Sequence, residues 1–364
     1  MLFPRNDSAY IHGPVIDTDQ QLAAFLPQLR AAGWIALDTE ADSLHAFPEK
    51  LCLIQISITG ADRLFDPLSG LDLAPALEEL RRHELILHGA DYDLRLLRRH
   101  CGFVPTAIFD TMIASRLLGD RQFGLHSLVS RHLGVTLEKG PQKANWAQRP
   151  LTPRMEAYAR NDTRYLKPLA DILKTELHRK GRLAWQTETC ARLITDCSEL
   201  RPVDADRQWR VKGSNRLSPS ALGVLREIWH WREREALAAN RPPYFILQPA
   251  TMVSLAAAAV NSHPVDLPLP RHLSPRRREG ILKAIEKGLA AEKPAPSPRP
   301  RGRRQTDAER KRLHDLERRR NHRAAELDID PTLVATRATL VALSQDWEKY
   351  RSALMNWQQD LLTK

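Results

Sequence analysis

The sequence predicts an α/β sandwich followed by an all-helical region, and three observations carry that reading. From residue 34, short β-branched or apolar runs alternate with turn-formers. One amphipathic stretch and one more apolar run complete this layer. From residue 91 onward the apolar spacing is helical, with glycine, serine or threonine at the element ends.

The first element is WIALDTE (34–40), an apolar run that becomes a strand and ends in carboxylates. LCLIQISI (51–58) and DRLFDPL (62–68) read as the next strands of one sheet. LDLAPALEELRRH (71–83) has helical spacing, and ELILHG (84–89) is a further buried strand. Three helices then follow in DYDLRLLRRHCG (91–102), TMIASRLLG (111–119) and GLHSLVSRHLG (124–134), the last two closed by glycine. TPRMEAYARNDTRYL opens another, with Thr152 as N-cap and Pro153 at the first helical position. Pro168 is expected to kink this helix by displacing the carbonyl of Arg164.

The polar stretch 198–214 reads as a linker, after which LSPSALGVLREIWHWREREALAAN begins a helical domain spanning 215–291. Residues 292–305 combine alternating proline with arginine and read as an extended tether. In the last segment, 306–364, Trp347, Tyr350, Leu354, Trp357 and Leu361 fall three or four apart, an apolar stripe on one helix that belongs to a core.

The 364 residues exceed one usual domain, and 42% hydrophobic with 27% charged residues is an ordinary globular composition. The net charge of +11 is unevenly placed: residues 1–190 hold 23 Lys plus Arg against 23 Asp plus Glu, and residues 191–364 hold 32 against 21. Excess basicity in the second half suggests a polyanionic partner there. Cys52, Cys101, Cys190 and Cys197 form no CxxC pair, which argues against a zinc site or a disulfide framework. MLFPRNDSAY lacks a signal-peptide core and no apolar run reaches membrane-spanning length, so a cytoplasmic setting with no membrane partner is expected.

Chemistry concentrates in acidic residues at particular places. Asp38 and Glu40 are i and i+2 on a strand and share a face, with Thr39 pointing away. Two such carboxylates repel unless a cation sits between them. Asp93 follows a strand in the first turn of a helix, where the helix dipole favours a carboxylate. Tyr158 and Asp162 are four apart on one helix face.

DTE (38–40), HGADYDL (88–94) and YARND (158–162) resemble the three exonuclease motifs of the DEDD superfamily in its tyrosine-bearing branch. LCLIQIS, FDTMIASRLL and NWAQRPLTPRMEAYARND resemble, more closely, the bacterial ribonuclease D family, over roughly residues 10–190. LREIWHWREREALAANRPPYFIL with REGILKAIEKGL resembles an HRDC domain, and LDIDPTLVATRATL a second one. This resemblance implies a ribonuclease H-like exonuclease domain over 1–197, with a mixed sheet flanked by helices, followed by two small all-α HRDC-like domains at 215–291 and 306–364.

It also implies a 3′-5′ exoribonuclease that releases nucleoside 5′-monophosphates from RNA with a single-stranded 3′ end, tRNA precursors among its substrates. Two divalent cations, Mg²⁺ or Mn²⁺, would be held by Asp38, Glu40, Asp93 and Asp162, with Tyr158 orienting water. Lys143, Trp146 and Arg149 stand as candidate substrate contacts; Trp146 reads equally well as packing over the helix. A monomer is expected. A DNA 3′-5′ exonuclease of the same fold and a non-catalytic RNA-binding protein stay open as alternatives.

Overall fold

The computed structural model describes residues 11–138, 140–199, 204–261, 267, 269–271, 273–294 and 305–363. These form two compact units, one of residues 11–41, 51–199 and 305–363, the other of residues 42–50 and 204–294.

The first unit begins with β1 (Ile11–His12), α1 (Asp19–Arg30), β2 (Ile35–Ala41), β3 (Leu51–Ile58) and β4 (Ala61–Phe65). There follow α2 (Ala74–Leu80), β5 (Glu84–Leu87), α3 (Asp91–Cys101), β6 (Ala107–Asp110), α4 (Thr111–Leu118) and α5 (Leu125–Leu133). Then come α6 (Pro153–Arg164), α7 (Leu166–Arg179) and α8 (Leu183–Ser198). The six strands make one mixed sheet in the order β1-β4-β3-β2-β5-β6. β3 runs antiparallel to both β2 and β4, whereas β2-β5 and β5-β6 are parallel. All eight residues of β3 are buried, which explains its unbroken apolar sequence: a central strand covered on both faces has no polar side.

The expected strands and helices are present; the helices α1 and α8 are additions, as are the strands β1 and β6. Two and four residues long, these edge strands are too short to show a period in the sequence. The helix around Pro168 also differs. Instead of kinking, it ends at Arg164 and restarts at Leu166, which places Pro168 in the first turn of α7, where no N–H partner is required.

The unit is completed by α14 (Asp307–Leu327), α15 (Pro331–Val334), α16 (Arg337–Gln345), α17 (Trp347–Tyr350) and α18 (Asn356–Thr363). They share one apolar cluster with α4, α5 and α7, in which Leu313, Leu340, Leu343 and Trp357 join Leu117, Leu128, Leu169 and Leu173. Trp185 stacks on Trp357 with ring centroids 5.0 Å apart, and the Arg182 guanidinium bridges the carbonyls of Leu117 and Leu327. At Gly119 (φ +103°) a Cβ would sit 2.2 Å from the Asp328 carbonyl oxygen, so the approach of the two segments requires glycine. The expected separate domain at 306–364 is thus built into the core of the first unit. The terminal apolar stripe is core as expected, but it lies on two short helices because the backbone turns extended at Leu354.

The second unit holds α9 (Ala205–Gln208), α10 (Pro219–Ala239), α11 (Pro243–Ile246), α12 (Pro249–Ala259) and α13 (Pro275–Ala290) around Trp209, Leu225, Ile228, Trp231, Met252 and Ile285. Residues 42–50 belong to it: Phe47 packs on this core and its N–H donates to Asn240 Oδ1. The expected linker therefore ends early, since Trp209 is fully buried here and 204–214 is structured. Its residues 200–203, and most of the tether expected at 292–305, lie outside the described residues.

The two helical regions repeat each other at a constant offset of 88 residues. Ser218 and Thr306 cap helices of 21 residues, Asn240 and Asp328 end them in the left-handed conformation, and Pro243 and Pro331 open four-residue helices. Leu225 and Leu313, Ala236 and Ala324, and Met252 and Leu340 are buried at matching positions.

Candidate active site

Three elements of the first unit bring acidic side chains to one cavity. β2 supplies Asp38 and Glu40 at its end, where the register with β3 shifts. Asp93 stands in the first turn of α3. α6 supplies Tyr158 and Asp162 from one face, as their spacing predicts. The helix α6 is fixed by polar contacts that the sequence did not announce. Thr163 Oγ1 lies 2.7 Å from Ser57 Oγ, Arg164 pairs with Asp62 at 2.7 Å, and Arg160 donates to the carbonyls of Asp62 and Gly13.

All five predicted residues line this cavity of about 410 Å³, together with Thr39, His88, Tyr92, His126, Ser127 and Gln142. Carboxylate oxygens of Asp38, Glu40 and Asp162 lie within 4.8 Å of one another. No lysine or arginine lines the cavity among the described residues. Burial and mutual repulsion push Asp38 well above the usual carboxylate range, Glu40 up to about 9, and Asp93 and Asp162 each to about 7. Four acids held together resist ionising, and a divalent cation among them would relieve that repulsion. The donor set, all hard oxygen, fits a divalent cation such as Mg²⁺ or Mn²⁺.

Thr39 departs from the expectation that it points away. Its N–H (3.1 Å) and hydroxyl (2.5 Å) both donate to Asp93 Oδ1, so β2 itself orients the carboxylate from α3. Across the sheet, Gln55 is in register with Asp38 and donates to its Oδ2 at 3.4 Å. The Tyr158 hydroxyl is hydrogen-bonded to Asp162 and to Gln142, and burial raises its pKa further above the ordinary phenol value. The ring lies against Gly140, where a Cβ would come 1.5 Å from Tyr158 Cδ2. His88 is held through Nδ1 2.9 Å from Thr111 Oγ1, and burial lowers its pKa. Sequence reasoning missed these residues, although His88 opens the same HGADYDL segment that holds Asp93.

The structure places two of the three candidate substrate contacts in packing or ion-pair roles. Trp146 is 1% exposed and packs with Cys52, Leu53, Leu64 and Met155, its ring 6.1 Å from that of Tyr158. Arg149 grips both oxygens of Asp66 at 2.5 and 2.6 Å and donates to the carbonyls of Trp146 and Cys52. Both side chains hold the segment before α6. Lys143 is exposed.

Comparison with known proteins places this geometry in context. Residues 14–178 match the family model described as 3′-5′ exonuclease, and residues 221–262 match the HRDC domain model. Ribonuclease D of Zymomonas mobilis is 35% identical over 276 residues, 74% of this chain and 66% of its own length, just under two thirds. Ribonuclease D of Sphingobium indicum is 33% identical over 76% of this chain and 68% of its own length. The crystal structure of Escherichia coli RNase D, described as an exoribonuclease involved in structured RNA processing, superposes with a TM-score of 0.74 at 26% identity, covering 97% of this chain and 98% of that one. The alternation of acidic strand end, acidic helix start and tyrosine-aspartate helix thus sits on a shared exonuclease fold. No helix among the described residues is long and apolar enough to cross a membrane.

Proposed function

The chain belongs to the ribonuclease D family, and we propose that it hydrolyses the terminal phosphodiester of RNA with a single-stranded 3′ end, releasing nucleoside 5′-monophosphates. The observation that carries this reading is the convergence of four carboxylates and one phenol in a cavity that no lysine or arginine lines among the described residues. Asp38, Glu40 and Asp162 would hold a divalent cation, Mg²⁺ or Mn²⁺, and Asp93 would support a second one. When bound, such cations lower the pKa of water and stabilise charge on the attacking and leaving oxygens of an in-line displacement.

The chain's own residues do the rest. Thr39 fixes Asp93 with two donors, so its free oxygen faces the cavity in one orientation. Tyr158 is a poor proton acceptor because burial beside Asp162 and Glu40 keeps it protonated. Its hydroxyl therefore orients the attacking water and accepts or donates a hydrogen bond without taking the proton. The neutral first half presents the 3′ end to this cavity, with Lys143 as a backbone contact, and the basic second half holds the body of the RNA through its phosphates. Precursors of tRNA and other small structured RNAs are the proposed substrates, met in the cytoplasm by a monomer whose domains are those read from the sequence, amended as above.

Incubating a 3′-extended tRNA with Mg²⁺ tests this. Stepwise shortening by wild type, its loss in EDTA, and its loss in Asp38→Ala are the expected results. Retained activity of Asp38→Ala, or activity in EDTA, refutes the assignment of the site. Equal digestion of a DNA oligonucleotide refutes the RNA preference.

A further inference from the structure

Two histidines line the acidic cavity, and the surroundings of one of them assign its hydrogen-bonding character. His88 follows β5, with Nδ1 2.9 Å from Thr111 Oγ1. Thr111 is fully buried, and its hydroxyl donates to the carbonyl of Leu87 at 3.0 Å. A hydroxyl carries one hydrogen, so toward His88 it accepts. The proton of the neutral ring therefore sits on Nδ1, and Nε2 keeps its lone pair. Burial holds this ring below the ordinary imidazole pKa, against the pull of Asp110 and with the help of His126, so it is neutral at pH 8.

The turn that carries His88 is fixed as well. The N–H groups of Gly89 and Ala90 donate to the two oxygens of Asp110 at 3.1 and 2.8 Å. Gly89 stands at φ +72°, where a Cβ would come 2.8 Å from Met112 Cε. The ring is thus held by its own Nδ1 and by the backbone behind it, as a group that reads a ligand must be. Among the described residues, nothing donates to Nε2.

The other polar groups around the cavity are engaged or select less. Thr39 donates to Asp93, Gln142 is hydrogen-bonded to Tyr158, and His126 Nε2 lies 3.3 Å from the carbonyl of Glu138. The carboxylates face the cations of the reaction proposed above. Ser127 both donates and accepts, which lets it match either kind of partner. His88 Nε2 has no hydrogen of its own, so it selects a donor. Donors on the bases differ among the four nucleotides, and the 3′-hydroxyl is common to RNA and DNA. The 2′-hydroxyl is shared by every ribonucleotide and absent from DNA.

We propose that His88 Nε2 accepts a hydrogen bond from the 2′-hydroxyl of the nucleotide being removed, and that this contact sets a preference for ribose at the 3′ end. The proposal rests on the reading of this chain as an enzyme of RNA. The test uses RNA oligomers of one sequence that differ only in their last nucleotide, which is a ribonucleotide, its 2′-deoxy form or its 3′-deoxy form. The full chain is assayed with Mg²⁺ at pH 8, and kcat/KM is measured for release of that nucleotide. Wild type is expected to favour the ribose end over the 2′-deoxy end about fivefold or more, the order of one hydrogen bond. His88→Asn keeps a donor for Thr111 and has no atom in place of Nε2, so this ratio should fall to about one. His88→Gln, whose amide oxygen reaches the place of Nε2, should keep most of it. Thr111→Val removes the acceptor that fixes the tautomer and should lower the ratio without altering the ring.

A ratio near one in wild type overturns the proposal. So does a ratio that survives in His88→Asn because both ends slow equally, which makes the histidine structural. Discrimination against the 3′-deoxy end that is lost in His88→Asn, with the 2′ ratio intact, overturns it in favour of the 3′-hydroxyl. Failure of the nuclease reading shows separately, as wild type that shortens none of the three oligomers.

Discussion

Replacing Asp162 by asparagine should stabilise the metal-free protein while destroying its function. The carboxyl of Asp162 is raised from 3.8 to about 7 by burial and by Asp93. About three pH units at ~1.4 kcal/mol each would make its ionisation cost about 4 kcal/mol of folding free energy. That penalty is shared with Asp38, Glu40 and Asp93, so removing one charge should recover about 1–2 kcal/mol, or roughly 3–6 °C in apparent Tm. The sign follows from proton uptake: between about pH 4 and 7 the folded chain binds more protons than the unfolded one, so stability falls as pH rises through this window. The gain in Asp162→Asn should accordingly be full at pH 8 and shrink toward zero as pH falls to 4. Asparagine keeps an acceptor for Tyr158, so no bond to the phenol need be lost. With saturating Mn²⁺ the order should reverse, because the wild type gains from cation binding what the variant has lost with its ligand. Thermal unfolding in EDTA and in Mn²⁺ measures both. Equal or lower stability of Asp162→Asn in EDTA at pH 8 would mean that the cluster is not under repulsion and that the metal argument is unfounded.

Three other outcomes follow from the same geometry. Thr39→Val removes the hydroxyl donor to Asp93 and leaves the N–H, so the Mn²⁺ concentration for half-maximal activity should rise about tenfold, with kcat at saturation less affected. Gly140→Ala forces the Tyr158 ring to move, and kcat should fall while Mn²⁺ affinity, followed by calorimetry, is kept. Arg149→Ala leaves Asp66 buried without its cation and should cost about 3 kcal/mol in denaturant unfolding, whereas the RNA affinity of the folded fraction should be unchanged; a lowered affinity would restore Arg149 as a substrate contact.

The acidic site was legible because its chemistry imposes residue types on places that the sequence can identify: the end of an apolar strand, the first turn of a helix, and one face of a capped helix. Asp38, Glu40, Asp93, Tyr158 and Asp162 needed only those local rules to be found. What supports them was not legible in the same way. Thr39, Gln55 and Thr163 act through partners 54, 17 and 106 residues away, and no period in the sequence announces a contact across a sheet. The partner of Arg149 was hidden for a related reason: a cation near a nuclease motif reads as a phosphate contact, and the buried Asp66 that it grips lies 83 residues earlier.

The terminal helices show a different limit. Their composition and caps predict a small helical domain, and their backbone repeats that of the first helical segment at an offset of 88 residues. Local rules describe how such a motif folds and are silent on what its outer face meets. In one copy the face became core, with Trp357 against Trp185 and Leu313 among the nuclease-side leucines. That exchange removes apolar surface from water at ~25 cal/mol per Å² and couples the stability of the nuclease fold to the end of the chain. The other copy carries nearly all the excess positive charge and has a core of its own. A duplicated motif whose copies differ in this way can stabilise an active site with one and bind a polyanion with the other, and its sequence displays the shared framework more plainly than the division of labour.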